Sequence, residues 1–209
     1  MTLLYGYVLA HQEFPGRTFL AFYLFFTMLF NGGLVPTYIM YTRYLHMKNT
    51  VGALIIPALL MNAFNVILAR TYIQSNMPAA LSEAAQIDGA TEFRIFGQVA
   101  LPLCKPIIAT IGLFIGLGYW NDWMNGLYYL SNRGGSRYYT IQIVLNNIND
   151  DIMALVQSAT SSSGMATAAA NMPTTTIRMA IAVIGILPVL VLYPFFQRYF
   201  VKGITLGGV

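Results

Sequence analysis

Charge is what this chain has least of: only 9% of its 209 residues are Asp, Glu, Lys or Arg, against about a quarter in soluble globular domains. That scarcity excludes an ordinary soluble domain. Cysteine is scarcer still. Cys104 stands alone, so neither an intrachain disulfide nor a thiolate metal cluster is available, and a lone thiol of this kind behaves as a small buried hydrophobe. The net charge is +4, yet no basic run accompanies it. Nucleic-acid binding therefore has no electrostatic footprint, and loop charges beside lipid headgroups account for the basic balance. No Gly-Lys pair occurs, which excludes a phosphate loop of the GxxxxGK[ST] type. Any ATP that drives this protein is held by another chain. No Ser/His/Asp set or carboxylate pair is placed for chemistry; Asp150 and Asp151 are neighbours without a third ligand, and His11 and His46 are isolated. The expectation is no catalytic residue, no metal and no cofactor.

Apolar sequence fills the space that charge leaves. Hydrophobic residues make up 57% of the chain, the mean hydropathy is +0.62, and a membrane-spanning helix needs roughly 20 mostly apolar residues. Uncharged apolar stretches lie between Arg17 and Arg43, between Lys48 and Arg70, between Lys105 and Asp122 (with apolar character resuming beyond Asp122 through Leu130), and between Arg178 and Arg198. A charge at mid-bilayer costs at least about 2.5 kcal/mol, so these stretches predict spans near 18–41, 50–73, 106–130 and 177–200. The uncharged run 152–177 is dense in Ser and Thr and reads as a solvated or interfacial loop. MTLLYGYVLA (1–10) is apolar but too short to span and lacks a basic flank; it reads as the end of a helix. Gly32, Gly33, Pro36, Pro57, Pro188 and Pro194 sit inside these stretches, as bilayers tolerate. Gly112, Gly116 and Gly118 predict a small-residue face for close helix approach.

The segment PAALSEAAQIDGATEFRIFGQVALPLCKP (78–106) is the most informative. Physically it is an amphipathic helix, a glycine break at Gly89 where positive φ costs nothing, and a second helix with Phe93, Phe96, Ala100 and Leu103 on one face. Standing alone it reads equally as a helix resting on the bilayer surface.

Letter by letter, this segment resembles the EAA loop of ABC-importer permeases: Glu83-Ala84-Ala85, Gly89, Val99 where the family has Ile, and Leu101-Pro102, with every spacing intact. Asp88-Gly89-Ala90 followed by Phe93 resembles the carbohydrate subgroup. GGLVPTY (32–38), YWNDWMNGL (119–127), MPTTTIRMA (172–180) and YPFFQRYFVKGITLG (193–207) are similar to maltose-type permease subunits for complex saccharides, so the resemblance covers essentially the whole chain.

The resemblance implies an all-α, multi-pass integral protein of the bacterial cytoplasmic (inner) membrane with the type I ABC importer permease fold. It implies one transmembrane permease domain over 1–209, imports of a sugar or oligosaccharide, and ATP hydrolysis on a separate subunit. Because family members usually have six spans, it also implies an N-terminally truncated chain with four complete spans and a helix remnant. In the family the EAA loop, here about 78–105, is a cytoplasmic coupling helix docked on the ATP-binding subunit. That carries Glu83, Ala84, Ala85, Asp88, Gly89 and Phe93 over as coupling residues. The implied partners are ATP-binding subunits, a second homologous permease, an extracytoplasmic sugar-binding protein meeting the outer region of about 131–176, and the lipid bilayer. Lys and Arg divide almost evenly between the two sides, so topology rests on the motif alone. An ion-coupled secondary transporter and an inactive fragment stay open as other readings.

Residues for the translocation path come from the chemistry of sugars, which present apolar ring faces and hydroxyl rims. Trp120, Asn121 and Asp122 offer an aromatic face beside amide and carboxylate groups, and an ionisable residue inside a span is a functional candidate. An aromatic belt at the interface is the competing reading. Asn62 and Asn65 form a second candidate pair, with interhelical hydrogen bonding as the competing role. YYTIQIVLNNINDDIMALVQS (138–158) reads as an amphipathic outer helix.

Overall fold

The computed structural model describes residues 1–11, 13–59, 61–131, 134–161 and 174–205. Among the described residues the regular structure is helical throughout. In chain order the helices are α1 (Thr2–Ala10), α2 (Arg17–Leu29), α3 (Leu34–Ile39, continued by a π turn over Met40–Tyr44), α4 (Val51–Leu59), α5 (Ala63–Asn76) and α6 (Ala79–Ile87). They continue as α7 (Glu92–Ile95, with a π turn over Phe96–Ala100), α8 (Leu101–Leu103), α9 (Lys105–Trp120), α10 (Met124–Tyr129), α11 (Ile141–Ser161) and α12 (Thr174–Thr205). The chain forms two compact units: Met1–Thr37, Ala58–Gly116 and Phe195–Val209 make the first, and Tyr38–Pro57 with Leu117–Pro194 the second.

The first unit is built around α1 laid along α5. Tyr7, Ala69, Ile73, Ile95, Ala100, Cys104, Ile107 and Ile111 form its main buried cluster, and Leu9, Leu24 and Val66 a second one. Cys104 is buried there as a free thiol. The two helices touch at backbone distance: a Cβ on Gly6 would lie 2.8 Å from Ala69 Cβ, 3.1 Å from the Arg70 nitrogen and 3.3 Å from the Val66 oxygen. Among the described residues of this chain the close approach expected at Gly112, Gly116 and Gly118 is not made. An added Cβ at any of those three meets nothing within 4 Å among the described residues.

The apolar stretches are less continuous than their hydropathy. Among the described residues one helix segment, Thr174–Pro194 within α12, is long and apolar enough to cross a membrane alone. Two further stretches qualify only as bent pairs: Arg17–Leu29 with Leu34–Tyr44 at 109°, and Glu92–Leu103 with Lys105–Trp120 at 81°. Each interruption has a local cause. After α2, Asn31 Oδ1 accepts from the Gly33 N–H at 2.9 Å, and Gly33 takes φ +84, so the polar side chain turns the backbone out of the helix. Between α4 and α5, Asn62 has extended backbone and its side chain accepts from the Phe64 and Asn65 N–H groups, an N-cap that starts a new helix. After Trp120, Asp122 Oδ1 accepts from the Asn125 N–H at 3.1 Å and starts α10. Among the described residues, the four predicted spans thus comprise one continuous helix and three broken stretches.

The second unit packs Tyr41, Ala53 and Tyr129 together, with Tyr38 stacked on Tyr129 at 5.9 Å and Tyr41 edge-on to it at 6.0 Å. The predicted amphipathic helix of 138–158 is present as α11. The turn at Asn49 pins two loops. Asn49 sits at φ +60, its N–H donates to the Tyr129 oxygen at 3.0 Å, and its Oδ1 accepts from the Ser131 N–H at 2.7 Å and hydroxyl at 3.1 Å. Gly134 and Gly135 pack against the same side chain. Asn49→Ala therefore strains the backbone and orphans two donors, together worth about 2–3 kcal/mol. Amide exchange at Ser131 is expected to speed up by at least about tenfold in that variant, measured by hydrogen–deuterium exchange.

Candidate functional site

The 78–105 segment folds as a bracket. Pro78 holds extended backbone as the N-cap of α6, and its ring suits a helix start because it lacks an N–H that would be unpaired there. The helix ends in a Schellman motif: the Gly89 N–H donates to the Gln86 oxygen at 2.9 Å and the Ala90 N–H to the Ala85 oxygen at 2.9 Å. Gly89 stands at φ +77, the left-handed position that this motif reserves for glycine. Thr91 then opens α7, and the chain runs on through the π turn and α8. The break between α8 and α9 falls at Cys104, flanked by Pro102 and Pro106, neither of which can donate a helical hydrogen bond.

The candidate coupling residues sort by face. Ser82 is buried and Ala85 half-buried against the first unit's core. Glu83, Ala84, Asp88, Gly89 and Phe93 are exposed. With them the segment presents Leu81, Ile87 and Phe93 outward, the last two 86% and 79% exposed. Apolar and acidic side chains thus lie side by side on the exposed face of this segment. Glu83 lines a cavity of about 700 Å³ together with Glu13, Gln74, Ser82 and Gln86. Phe93 lines a second cavity of about 380 Å³ with Tyr7, Phe14, Glu92 and Phe96.

Sequence reasoning missed Glu92. Its carboxylate accepts from the Gln86 Nε2 at 2.8 Å and from the Tyr7 hydroxyl at 3.3 Å. Tyr7 is buried, its ring edge-on to Phe96 at 5.2 Å and tilted against His11 at 4.3 Å. No local signal announces a bond across such a sequence separation; only the acidic first turn of α7 was readable.

The translocation-path candidates fall in both units. Asn62 is exposed and spends its side-chain oxygen capping α5, while Asn65 is buried in the first unit. In the second unit, the Trp120 indole N–H donates to the Gly185 oxygen at 2.8 Å. Pro188, which has no N–H to donate to the carbonyl four residues back, lies nearby in α12. Asp122 is tied by both oxygens to Asn125, at 3.1 Å through the backbone and 2.6 Å through the side chain. Asn121 is exposed in the turn between them. Trp120, Asn121 and Asp122 thus share one turn, and two of the three use their polar atoms within the chain.

A family model described as the binding-protein-dependent transport system inner membrane component matches residues 3–206. The polygalacturonan/rhamnogalacturonan transport system permease protein YtcP of Bacillus subtilis (strain 168) is 38% identical over 209 residues, covering 100% of this chain and 70% of that protein. Protein LplC of the same organism is 37% identical over 208 residues, covering 100% of this chain and 67% of that protein. In a solved crystal structure, a bacterial ABC transporter involved in the import of the acidic polysaccharide alginate contains a chain that superposes with a TM-score of 0.71. That chain is 30% identical to this one, with 93% of this chain and 66% of that chain covered. This chain spans about two thirds of the length of these relatives. The chain belongs to the family of binding-protein-dependent transport system inner membrane components, the membrane permease subunits of ABC importers.

Proposed function

We infer that this chain is a multi-pass permease subunit that carries saccharides inward across the bacterial cytoplasmic membrane, coupled to ATP hydrolysis on separate subunits. The observation that carries the reading is the 78–105 bracket. Its Glu83-Ala84-Ala85 helix holds an apolar and acidic face outward, and Gly89 closes it in a left-handed turn. On this reading the bracket lies in the cytoplasm, where Glu83, Ala84, Ala85, Asp88, Gly89 and Phe93 meet the ATP-binding subunit. The 131–176 region faces the sugar-binding protein outside, and a second homologous permease completes the pathway. Trp120, Asn121, Asp122, Asn62 and Asn65 remain the candidates for contact with cargo.

The relatives' cargoes narrow the substrate class. Polygalacturonan and alginate are both polymers of uronic acids, so acidic oligosaccharides head the panel, ahead of neutral ones. The test is ATP hydrolysis by the purified complex in proteoliposomes, with its binding protein loaded with fragments of polygalacturonan, rhamnogalacturonan, arabinan or starch. Hydrolysis is expected to rise several-fold with one acidic fragment and to ignore collapse of ion gradients by ionophores. Uptake that needs no nucleotide and stops with the ionophore would establish secondary transport instead.

A further inference from the structure

Coupling segments work only if they are stiff, and this one has a soft point built into it. Gly89 joins α6 to α7 in a left-handed turn, and glycine is the residue with the widest backbone freedom. A load applied to α6 would be absorbed by rotation at that joint unless something braces it. The brace is visible. Gln86, on the α6 side, donates to Glu92 Oε1 at 2.8 Å, closing a bond across the Gly89 turn. The other carboxylate oxygen, Oε2, accepts from the Tyr7 hydroxyl at 3.3 Å. Tyr7 belongs to α1, which is seated on the α5 backbone through Gly6. One carboxylate therefore holds α6, α7 and α1 together, by a short bond to Gln86 and a longer one to Tyr7.

We propose that Glu92 is a positioning residue that latches the coupling bracket to α1, so that movement of α6 is delivered to α1 as well as along the chain into α9. The proposal rests on the reading of 78–105 as the coupling segment. Its physical content is a two-sided clamp: Gln86 stops α6 hinging at Gly89, and Tyr7 gives the braced pair a second lever. Tyr7 transmits well because its ring is 4% exposed and held edge-on by Phe96. It has no freedom to follow the carboxylate by rotating, so α1 must move with it.

The test uses the complete transporter and needs no knowledge of the cargo. Val8→Cys places a thiol on α1 beside the latch, lining the same cavity as Glu92, while the native Cys104 is buried and contributes little background. The rate of N-ethylmaleimide labelling is measured without nucleotide and after trapping with ATP and vanadate. With the latch intact, trapping is expected to change the rate by up to about tenfold, the population effect of one hydrogen bond. In Glu92→Ala and in Tyr7→Phe that response falls below about twofold, and combining the two lowers it no further, because both remove the Tyr7–Glu92 bond through which α1 is moved. Glu92→Gln, which keeps one acceptor for Gln86 and a donor for the Tyr7 oxygen, restores most of the response. A purely structural role would lower the yield of complex without this pattern. Gln86→Leu serves if Glu92→Ala fails to assemble. An unchanged response in Tyr7→Phe and Gln86→Leu, or no response with the native latch, overturns the proposal. Glu83→Lys separates the underlying reading: if it too traps vanadate and responds normally, the assignment of 78–105 to coupling falls with it.

Discussion

Gly89→Pro abolishes ATP-driven uptake by at least about a hundredfold while leaving insertion into the membrane intact. The native backbone at this position has φ +77, and proline is fixed near −65°. The substitution also deletes the N–H that donates to the Gln86 oxygen at 2.9 Å. Closure of α6 thus loses its geometry and one of its two terminal hydrogen bonds, about 3 kcal/mol or more. The damage stays local, because an added Cβ at Gly89 meets nothing within 4 Å among the described residues and no core packing depends on it. Substitutions that differ only in their tolerance of positive φ give a graded series. Asn, which visits this region readily, keeps most uptake; Ala, at a cost of about 1–2 kcal/mol, loses about tenfold. Uptake of the cognate oligosaccharide in a strain dependent on this subunit, with alkali-resistant membrane association as the control, reads both quantities. Normal uptake by the proline variant would mean that the α6–α7 turn plays no part in coupling.

That turn was readable in advance because its signal is local. Gly89 follows a helix-forming run and precedes Ala-Thr-Glu, and a left-handed closure uses only neighbouring atoms. Helix α11 was legible through its alternating faces, and Thr174–Pro194 through hydropathy alone. The interruptions at 30–33, 61–62 and 121–123 were not, because apolar composition continues on both sides of them. A single Asn or Asp cap ends one helix and starts another without changing the average. The same local chemistry bears on the path candidates: Asn62 and Asp122 each spend a side-chain oxygen on backbone N–H groups, at the start of α5 and within α10. Glu92 escaped for a different reason: its partner Tyr7 lies at the far end of the sequence, and only the packing of α1 on α5 brings them together.

That packing is itself a prediction with a large effect. Gly6→Leu is expected to lower the melting temperature of the purified complex by about 5–10 °C in detergent, from a loss of about 2–3 kcal/mol. The reason is what surrounds Gly6. An ordinary flexible neighbour would yield, but a new Cβ there meets backbone, with the Arg70 nitrogen at 3.1 Å and the Val66 oxygen at 3.3 Å. Helix α5 cannot locally retreat, so α1 must lift off. Lifting α1 opens the contacts of Tyr7, Leu9, Val66, Ala69 and Ile73, all buried at present. In a membrane protein such contacts count as packing rather than as escape from water, since lipid tails would solvate the exposed side chains. The loss is therefore set by the surface separated rather than by hydrophobicity. A compensating change tests this directly. Ala69→Gly removes the nearest obstacle, at 2.8 Å, and in combination with Gly6→Ala should recover about half of that variant's loss, because the two backbone contacts persist. Paired with Gly6→Leu it should recover almost nothing. A Gly6→Leu complex that melts within about 1 °C of the native one would show that α1 is not seated on α5, and would leave Tyr7 without the support that its bond to Glu92 requires.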